Sequence, residues 1–438
     1  MSFSYFLYRS SEVLLFLPFV FLLIGSIVLS FKTRFVQIRA IPKIIKLFCR
    51  SLFSKATDDE NTIRPHRALF TAMSTSLGIG NIVSPIIAIG LGGPGALLGF
   101  FLATIFGCAA TFTEVTFSLF YRERLHDGTV MGGPMQYLKK EFGNALALFY
   151  AFFVCIMLVA WSGRQSNTLA LLMKSHGIPQ YVSGIIVALL VTFILIKGIK
   201  AIGSFSAKIV PIMFVLYVGS MLWIILSHSG NIIPALKLIF VSAFTPKALM
   251  GAGVGLGFQK AMRWGLSNAV FSNEAGLGTA SIPHSMAEVE NPVDQGIISM
   301  ATVYTNGFLC ILSGLAILVT GVWQKPGAIF DITMLSRLLT DSFSSAGSII
   351  LIFTVLLFVV GTILGNSYNG SQGFLFVTKN KWIWYYYILI ALVVFVSSIA
   401  DMNALWAIGD YLMVLVAVPH TIGIVILAFR RSKLLKIM

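Results

Sequence analysis

The sequence predicts an all-α polytopic membrane protein, and three observations lead to this fold class. Hydrophobic residues make up 57% of the 438 residues and charged residues only 11%, and the mean hydropathy is +0.90. The remaining polar residues are too few to cover the surface of a water-soluble protein of this size. Long apolar runs recur along the chain, and the gaps between them are too short to build a core of their own. We therefore expect one membrane domain over residues 1–438.

A helix that crosses a bilayer needs roughly 20 mainly apolar residues. This criterion predicts eleven spans, near residues 13–31, 66–90, 95–120, 145–173, 181–197, 209–227, 267–290, 295–322, 347–376, 382–400 and 404–429. The first has no clear small-residue cleavage site, so we expect it to remain as an extra N-terminal helix. The gap at 229–266 is predicted to form an outer hairpin or, alternatively, a further span. It contains a series of alternate glycines that is expected to serve close packing, namely Gly251, Gly253, Gly255 and Gly257.

Lys and Arg outnumber Asp and Glu by 31 to 16. They lie in short clusters between apolar runs, which is typical of topology determinants and not of a nucleic-acid surface. When the loop after the first span is assigned to the cytoplasm, 22 of the 31 fall on the cytoplasmic side. The positive-inside rule therefore predicts a cytoplasmic (inner) membrane protein with its N-terminus outside and its C-terminus in the cytoplasm. The four cysteines have no disulfide or zinc spacing and are expected to be packing residues.

Two of the predicted spans contain polar residues and glycines that would interrupt a helix. The second span contains the run 74–81, and the seventh contains the run 271–279. If the first span is discounted, these are the first and sixth of ten helices. This pattern is typical of two inverted five-helix repeats with a binding site near the midplane. We predict the repeats at residues 66–228 and 229–429.

The interrupted segments also predict the chemistry of the site. Unwound backbone frees amides and carbonyls that lipid cannot satisfy, so the breaks are expected to line a cavity. Helix N-termini can hold a carboxylate there, and carbonyl oxygens can hold a cation. The predicted ligand is therefore a small zwitterion bound with an alkali ion. Glu274, a carboxylate at membrane depth, contacts the ligand or, as an equally weighted alternative, shapes the break without touching it.

Six short motifs follow one another along the chain: Gly78-Ile79-Gly80-Asn81-Ile82, Gly92-Gly93-Pro94-Gly95-Ala96, Gly132-Gly133-Pro134-Met135, Gln165-Ser166-Asn167, Phe271-Ser272-Asn273-Glu274-Ala275-Gly276 and Asn291-Pro292-Val293-Asp294-Gln295-Gly296. In content and order they resemble the alanine/glycine:cation symporter family over nearly the whole chain. The resemblance implies a LeuT-type ten-helix core and a sodium-coupled importer of small neutral amino acids that works by alternating access. A proton-coupled transporter of the same fold is the alternative, and a channel is less favoured.

The expected partners are the amino acid, the coupling ion Na⁺ and the lipid bilayer, with no organic cofactor. The oligomeric state is left open. No enzyme is expected, because the sequence has no nucleophile elbow or metal signature at a membrane edge.

The resemblance also implies roles for individual residues, because the spacing from Gly78 to Asn81 is similar to the unwound first core helix of LeuT-type proteins. The residues implied for substrate binding are Gly78, Ile79, Gly80, Gln165, Ser272, Asn273, Glu274, Gly276 and Asn366. Those implied for sodium are Ser76 and Asn81 at one position, and Ser74, Leu77 and Thr362 at another. Gln165 is preferred to Asn167, because residues two apart on a helix cannot share a face. Arg164 is expected to pair with an acidic residue, for which Glu114 is one candidate.

Several positions depart from the family's pattern near the expected pocket. The family typically has Thr where Ile79 stands, Trp where Asn366 stands and an acidic residue where Ser371 stands. It also has an Asp-Thr pair in place of Asn306 and Gly307. These changes alter the volume and polarity of the pocket. We therefore expect the preferred amino acid to be shifted from alanine or glycine towards a larger or more polar neutral side chain.

Overall fold

The computed structural model describes residues 14, 16–53, 62–124, 128, 130–244 and 256–437. The helices in this part of the chain are α1 (Phe16–Lys32), α2 (Val36–Arg39), α3 (Ile41–Leu52), α4 (Pro65–Ser76), α5 (Ile79–Gly92), α6 (Ala96–Tyr121), α7 (Pro134–Phe142), α8 (Asn144–Ser175), α9 (Gln180–Leu195), α10 (Gly198–Ser227), α11 (Ile232–Phe244), α12 (Leu256–Asn273), α13 (Ser281–Ser285), α14 (Pro292–Thr320), α15 (Ile332–Phe343), α16 (Ser345–Thr378), α17 (Ile383–Ile399) and α18 (Met402–Arg430). Two short strands, β1 (Glu123–Arg124) and β2 (Val130–Met131), pair antiparallel.

Among the described residues, six helices are long and apolar enough to cross a membrane: α6, α8, α10, α14, α16 and α18. The pair α4 and α5, bent by 45° at the break between them, gives a seventh if it is counted as one span. Shorter apolar helices are α1, α9, α17 and the segment Ser229–Phe244. The predicted all-α, multi-pass membrane fold is therefore confirmed, whereas the number of eleven spans remains a prediction.

Several helices begin where the sequence supplies a proline or a capping side chain. Pro65 and Pro292 occupy the first turns of α4 and α14, where a missing amide hydrogen removes no helical bond. The side chains of Asn291 and Asp401 cap α14 and α18, each accepting a hydrogen bond from a backbone amide at 3.0 Å. Such caps satisfy amides that a helix start leaves without partners.

The packing brings the two interrupted helices together inside the molecule. α16 packs against α8 and α4, and α14 packs against α6 and α5. α5 packs against α12, the helix that enters the second break. The residues at both breaks are buried. Two broken helices were predicted, and both are confirmed at the predicted places.

The structure differs from the prediction in two segments. α12 begins at Leu256, whereas the predicted span begins near residue 267, because Lys260 and Arg263 lower the hydropathy of its first turns. Residues 256–266 therefore belong to the helix that enters the second break. Of the glycine series in the predicted hairpin, Gly257 lies in α12. Gly251, Gly253 and Gly255 lie outside the described residues.

The second difference lies in the basic stretch between the first two spans, where no helix was predicted. It contains the short helices α2 and α3.

Candidate functional site

The first break lies between α4 and α5, at Leu77 and Gly78. The amide of Leu77 still donates to the carbonyl of Met73 at 2.7 Å, but Gly78 is extended, with φ −125° and ψ −169°. The Oδ1 atom of Asn81 accepts a hydrogen bond from the Gly78 amide at 2.9 Å. The asparagine side chain therefore replaces a backbone bond that the break removes.

The second break follows α12 and is built from residues with left-handed backbone. Gly276 and Gly278 have φ of 86° and 89°, which glycine adopts without a steric penalty. Glu274 also has a positive φ, 52°. A non-glycine residue in this region is strained, and such strain tends to occur at functional sites. The chain returns to helical structure at α13.

Side chains from other helices bond the backbone groups that the second break frees. The Oε2 atom of Glu114, on α6, accepts a hydrogen bond from the Gly278 amide at 3.0 Å. The hydroxyl of Tyr150, on α8, donates to the carbonyl of Leu277 at 2.7 Å. The break is thus held in one shape by buried polar groups, as an unwound segment at membrane depth requires.

The two breaks are also joined to each other. The hydroxyl of Ser272 donates to the carbonyl of Gly80 at 3.4 Å. The amide of Ile79 donates to the Oε1 atom of Gln165, on α8, at 3.3 Å. α8 therefore forms a third side of the site beside the two broken helices.

A parallel β-bridge between Ile63 and Ala287 ties the broken helices together at one end. The Ile63 amide donates to the carbonyl of Met286, and the Glu288 amide donates to the carbonyl of Ile63, both at 3.0 Å. The chain before α4 is thereby fixed to the chain after α13.

A cavity of about 570 Å³ lies against both breaks, a size typical of small-molecule sites. The predicted site residues that line it are Ser76, Gly78, Ile79, Gly80, Asn81, Gln165, Ser272, Glu274, Thr362 and Asn366. Residues that the sequence reasoning did not select also line it, among them Trp161, Asp331, Arg337 and Trp406. Trp161 lies four residues before Gln165 on the same face of α8, so helical spacing could have selected it. Asp331, Arg337 and Trp406 lie on elements that come together only in the fold, so sequence spacing carries no signal for them.

Four predicted residues lie outside the cavity lining. Asn273 is turned away, and its Nδ2 atom lies 3.4 Å from the Oγ1 atom of Thr104. The carbonyl of Gly276 lies 2.6 Å from the Nδ1 atom of His420. The other two are Ser74 and Leu77, whose carbonyls face α16 instead.

Two of the oxygen atoms predicted for the second cation position are in contact between α4 and α16. The hydroxyl of Thr362 donates to the carbonyl of Leu77 at 2.9 Å. A Cβ atom built on Gly361 would lie 4.0 Å from the carbonyl oxygen of Ser74. At the other predicted position, the Oδ1 atom of Asn81 is already bonded to the Gly78 amide. Both predicted positions thus contain hard oxygen atoms of the kind that sodium takes as ligands, and in each one of these atoms already accepts a hydrogen bond.

Asn167 lies on the opposite side of α8 from the cavity. Its Nδ2 atom donates to the carbonyl of Ser397, on α17, at 2.6 Å, whereas Gln165 lines the cavity. This placement follows from the spacing of two residues on one helix.

The positions that depart from the family's pattern have different surroundings. Asn366 lines the cavity, and its buried Oδ1 atom has no hydrogen-bond partner among the described residues. A Cβ atom on Gly307 would lie 2.0 Å from the Oγ1 atom of Thr104, so no larger residue fits there unless Thr104 moves. Ser371 donates to the carbonyl of Tyr368 at 2.7 Å, within its own helix.

Arg164 pairs with Asp410, and the suggested pairing with Glu114 is wrong. The Nη2 atom of Arg164 lies 2.7 Å from the Oδ1 atom of Asp410, and the two side chains are 5% and 4% exposed. The guanidinium also lies 4.7 Å from the ring centre of Trp406. Glu114 is directed to the second break instead. Asp410 and Glu114 are both isolated charges inside apolar spans, so the sequence could not distinguish the true partner of Arg164 from the other candidate.

Comparisons with known proteins extend these findings. The family model described as Sodium:alanine symporter family matches residues 4–437. Sodium/alanine symporter AgcS of Methanococcus maripaludis is 33% identical over 420 residues, which cover 93% of this chain and 91% of the relative. Probable sodium/glutamine symporter GlnT of Bacillus subtilis is 29% identical over 415 residues, covering 93% of this chain and 85% of the relative.

Among solved structures, that of MhsT in complex with L-phenylalanine is similar, with a TM-score of 0.58 and 14% sequence identity. The similarity covers 84% of this chain and 89% of MhsT. The shared fold is the LeuT type, so the predicted LeuT-type core is confirmed.

Proposed function

The chain belongs to the sodium:alanine symporter family, and from this premise we propose that it imports a small neutral amino acid together with sodium. Family membership makes the chain a cation-coupled amino-acid symporter in a membrane, and not an enzyme. Three features go beyond family membership: sodium as the coupling ion, import as the direction of transport, and the kind of side chain on the transported amino acid. We also propose that the N-terminus lies outside the cell and that the two five-helix repeats are residues 66–228 and 229–429.

The observation that carries the proposal is the convergence of both breaks on one cavity. α5 begins at Ile79, and the residues of its first turn line the cavity. A helix N-terminus favours a negative group, so the substrate carboxylate is placed beside Ile79 and Gly80. Glu274 lines the same cavity, and its Oε2 atom accepts a hydrogen bond from Thr279 at 2.8 Å. We place the ammonium group of the substrate on the side of this carboxylate.

We place the sodium ion beside the carbonyl of Leu77 and the hydroxyl of Thr362, with the carbonyl of Ser74, in the last turn of α4, as a further ligand. Two of these oxygens lie 2.9 Å apart, a separation that two ligands of one small cation can adopt. A bound cation would replace the hydroxyl hydrogen of Thr362 as the partner of the Leu77 carbonyl. The position adjoins the cavity, since Thr362 and Gly78 both line it, which would link ion binding to substrate binding.

A thermal-shift screen of the purified protein tests the function. Each of the twenty amino acids is added in sodium buffer and in potassium buffer, and the unfolding temperature is measured. A ligand at 100 times its dissociation constant stabilises the folded state by about 2.7 kcal/mol. We expect a rise for a small set of neutral amino acids in sodium only. Equal rises in both buffers would contradict sodium coupling.

Two threonines on α16 provide the matched variants for the sodium position. Thr362→Ala removes a proposed ligand, and we expect the sodium concentration for half-maximal uptake to rise about tenfold, equivalent to about 1.4 kcal/mol. Thr354→Ala removes a buried hydroxyl two turns earlier that does not line the cavity, and sodium dependence should remain unchanged. An equal effect of both substitutions would refute the placement of the ion.

Proton coupling through Glu274 is the second candidate, since a buried carboxylate lines the cavity. Proteoliposomes in sodium-free buffer with an inward proton gradient distinguish the two ions. Uptake driven by the proton gradient alone would support the second candidate and overturn the first.

The side chain of the substrate is proposed to contact Asn366. The amide oxygen of this residue is buried and has no partner in the described part of the chain, so it can accept a hydrogen bond from a polar substrate side chain. The relative named probable sodium/glutamine symporter GlnT supports a substrate with a polar side chain.

Asn366→Trp is expected to shift selectivity towards alanine, because the larger side chain fills the cavity and removes the acceptor. We expect the ratio of alanine to glutamine uptake to rise roughly tenfold or more, the range for losing a specific pocket contact. Asn366→Ala serves as the control, since it removes the acceptor without filling the volume. It should weaken glutamine uptake without improving alanine uptake. An unchanged ratio in the tryptophan variant would eliminate a role for Asn366 in selectivity.

A further inference from the structure

α3 lies away from the transport site and is fixed to the protein near both ends. Its 12 residues span about 18 Å, too short to cross a hydrocarbon core of about 30 Å. The Nζ atom of Lys43 lies 2.9 Å from the Oδ1 atom of Asp294, at the start of α14. The hydroxyl of Ser51 accepts a hydrogen bond from the amide of His66, in α4, at 2.8 Å. The direction in which each face of α3 points is therefore set by the fold.

One face of α3 packs against the protein, and a second face is apolar and exposed. Ile44 and Ser51 are buried against the protein. Ile41, Ile45 and Leu52 are 44%, 63% and 41% exposed. At 100° per residue these three lie within an arc of about 40°. An apolar stripe of this kind is unfavourable in water and stable against lipid.

The third face of α3 is basic. Lys46 and Arg50 are exposed and lie four residues apart, so they share one face, centred about 140° around the helix from the apolar stripe. Neither forms an ion pair with the part of the chain that the structure describes. A helix with an apolar stripe and a basic face lies in the plane of the membrane interface, with the apolar side chains among acyl chains and the basic groups at the headgroups.

We propose that α3 binds acidic phospholipids, with Lys46 and Arg50 contacting the anionic headgroup and Ile45 and Leu52 contacting the acyl chains. Charge complementarity selects this occupant, because each basic residue near an anionic membrane surface adds to attraction, whereas a zwitterionic headgroup offers no net charge. The helix belongs to the stretch 32–67, which holds the largest group of Lys and Arg on the predicted cytoplasmic side. This proposal is independent of the substrate and ion assigned above.

Binding of short-chain phosphatidylglycerol to the full-length protein in a neutral detergent tests the proposal. Bound lipid is counted by native mass spectrometry, and the unfolding temperature is followed in parallel. Phosphatidylcholine with the same acyl chains and glycerol 3-phosphate without chains are the comparison ligands. We expect phosphatidylglycerol to bind and to raise the unfolding temperature, and both comparison ligands to have little effect.

The variant Lys46→Gln with Arg50→Gln should weaken phosphatidylglycerol binding about thirtyfold. The control variant, Lys379→Gln with Lys381→Gln, removes two exposed basic residues elsewhere and should bind as the unmodified protein does. Both variants should unfold at the original temperature without lipid, because these side chains are at the surface. Equal binding of the two phospholipids, equal weakening in both variants, or binding of glycerol 3-phosphate alone would overturn the proposal. Co-purification of a protein partner with the unmodified protein, and its loss only from the Lys46→Gln, Arg50→Gln variant, would also overturn the proposal.

Discussion

Gly278→Ala is expected to lower the stability of the folded protein severely. Gly278 has φ of 89°, where a residue with a Cβ atom is strained by roughly 1–2 kcal/mol. A Cβ atom there would also lie 2.4 Å from the Cγ atom of Pro134 and 2.5 Å from the hydroxyl of Tyr150. Overpacking of this kind costs roughly 1–3 kcal/mol more. The measurements are the unfolding temperature in detergent and the yield of monodisperse protein on size-exclusion chromatography.

Gly219→Ala is the matched control for Gly278→Ala. Gly219 lies within α10, and a Cβ atom built on it meets nothing within 4 Å. Alanine is favoured over glycine inside a helix by roughly 0.5–1 kcal/mol, so this variant should be as stable as the original protein or slightly more so. If the two variants unfold at the same temperature, the second break does not depend on a glycine at 278.

Asp410→Asn is expected to destabilise the protein by roughly 3–5 kcal/mol, because it removes the carboxylate from a buried ion pair and leaves the guanidinium buried. Arg164 also donates to the carbonyl of Leu405 at 3.2 Å, but a neutral carbonyl does not balance its charge. Since Arg164 lines the cavity, uptake should fall as well. The diagnostic measurement is the unfolding temperature, because transport alone cannot separate stability from substrate contact.

An exposed ion pair of the same chain is the control for this substitution. Lys325 and Asp341 are 62% and 60% exposed and lie 3.2 Å apart, and Asp341→Asn should cost less than about 1 kcal/mol. Replacing both members of the buried pair, as Arg164→Met with Asp410→Leu, should recover most of the lost stability. A double replacement as unstable as Asp410→Asn would show that the buried charge is not the cause.

The sequence could predict the two breaks because each places glycines and polar groups inside an apolar span, where lipid leaves unwound backbone no partner except protein or a cavity. It could predict only part of the set of residues that line that cavity. Asn273 and Gly276 adjoin residues that do but do not line it themselves, and the chain between them passes through a left-handed Glu274. Such a backbone angle depends on the packing of other helices and leaves no periodic signal.

The basic stretch after the first span shows a different limit. Its lysines and arginines were interpreted as topology determinants, and α3 was not expected. The apolar residues Ile41, Ile44 and Ile45 do recur at helical spacing. A span criterion based on about 20 apolar residues passes over a helix of 12, although its amphipathic pattern is visible.

The β-bridge at Ile63 and Ala287 has a mechanical consequence for any change of shape. It couples α4 and α13, which are the arms of the two broken helices at the same end. If one arm tilts, the other must follow or the bridge must open. We therefore expect α4 and α13 to tilt together as one rigid unit, with the change of direction taken up at residues 77–78 and 274–280, where neither helix continues.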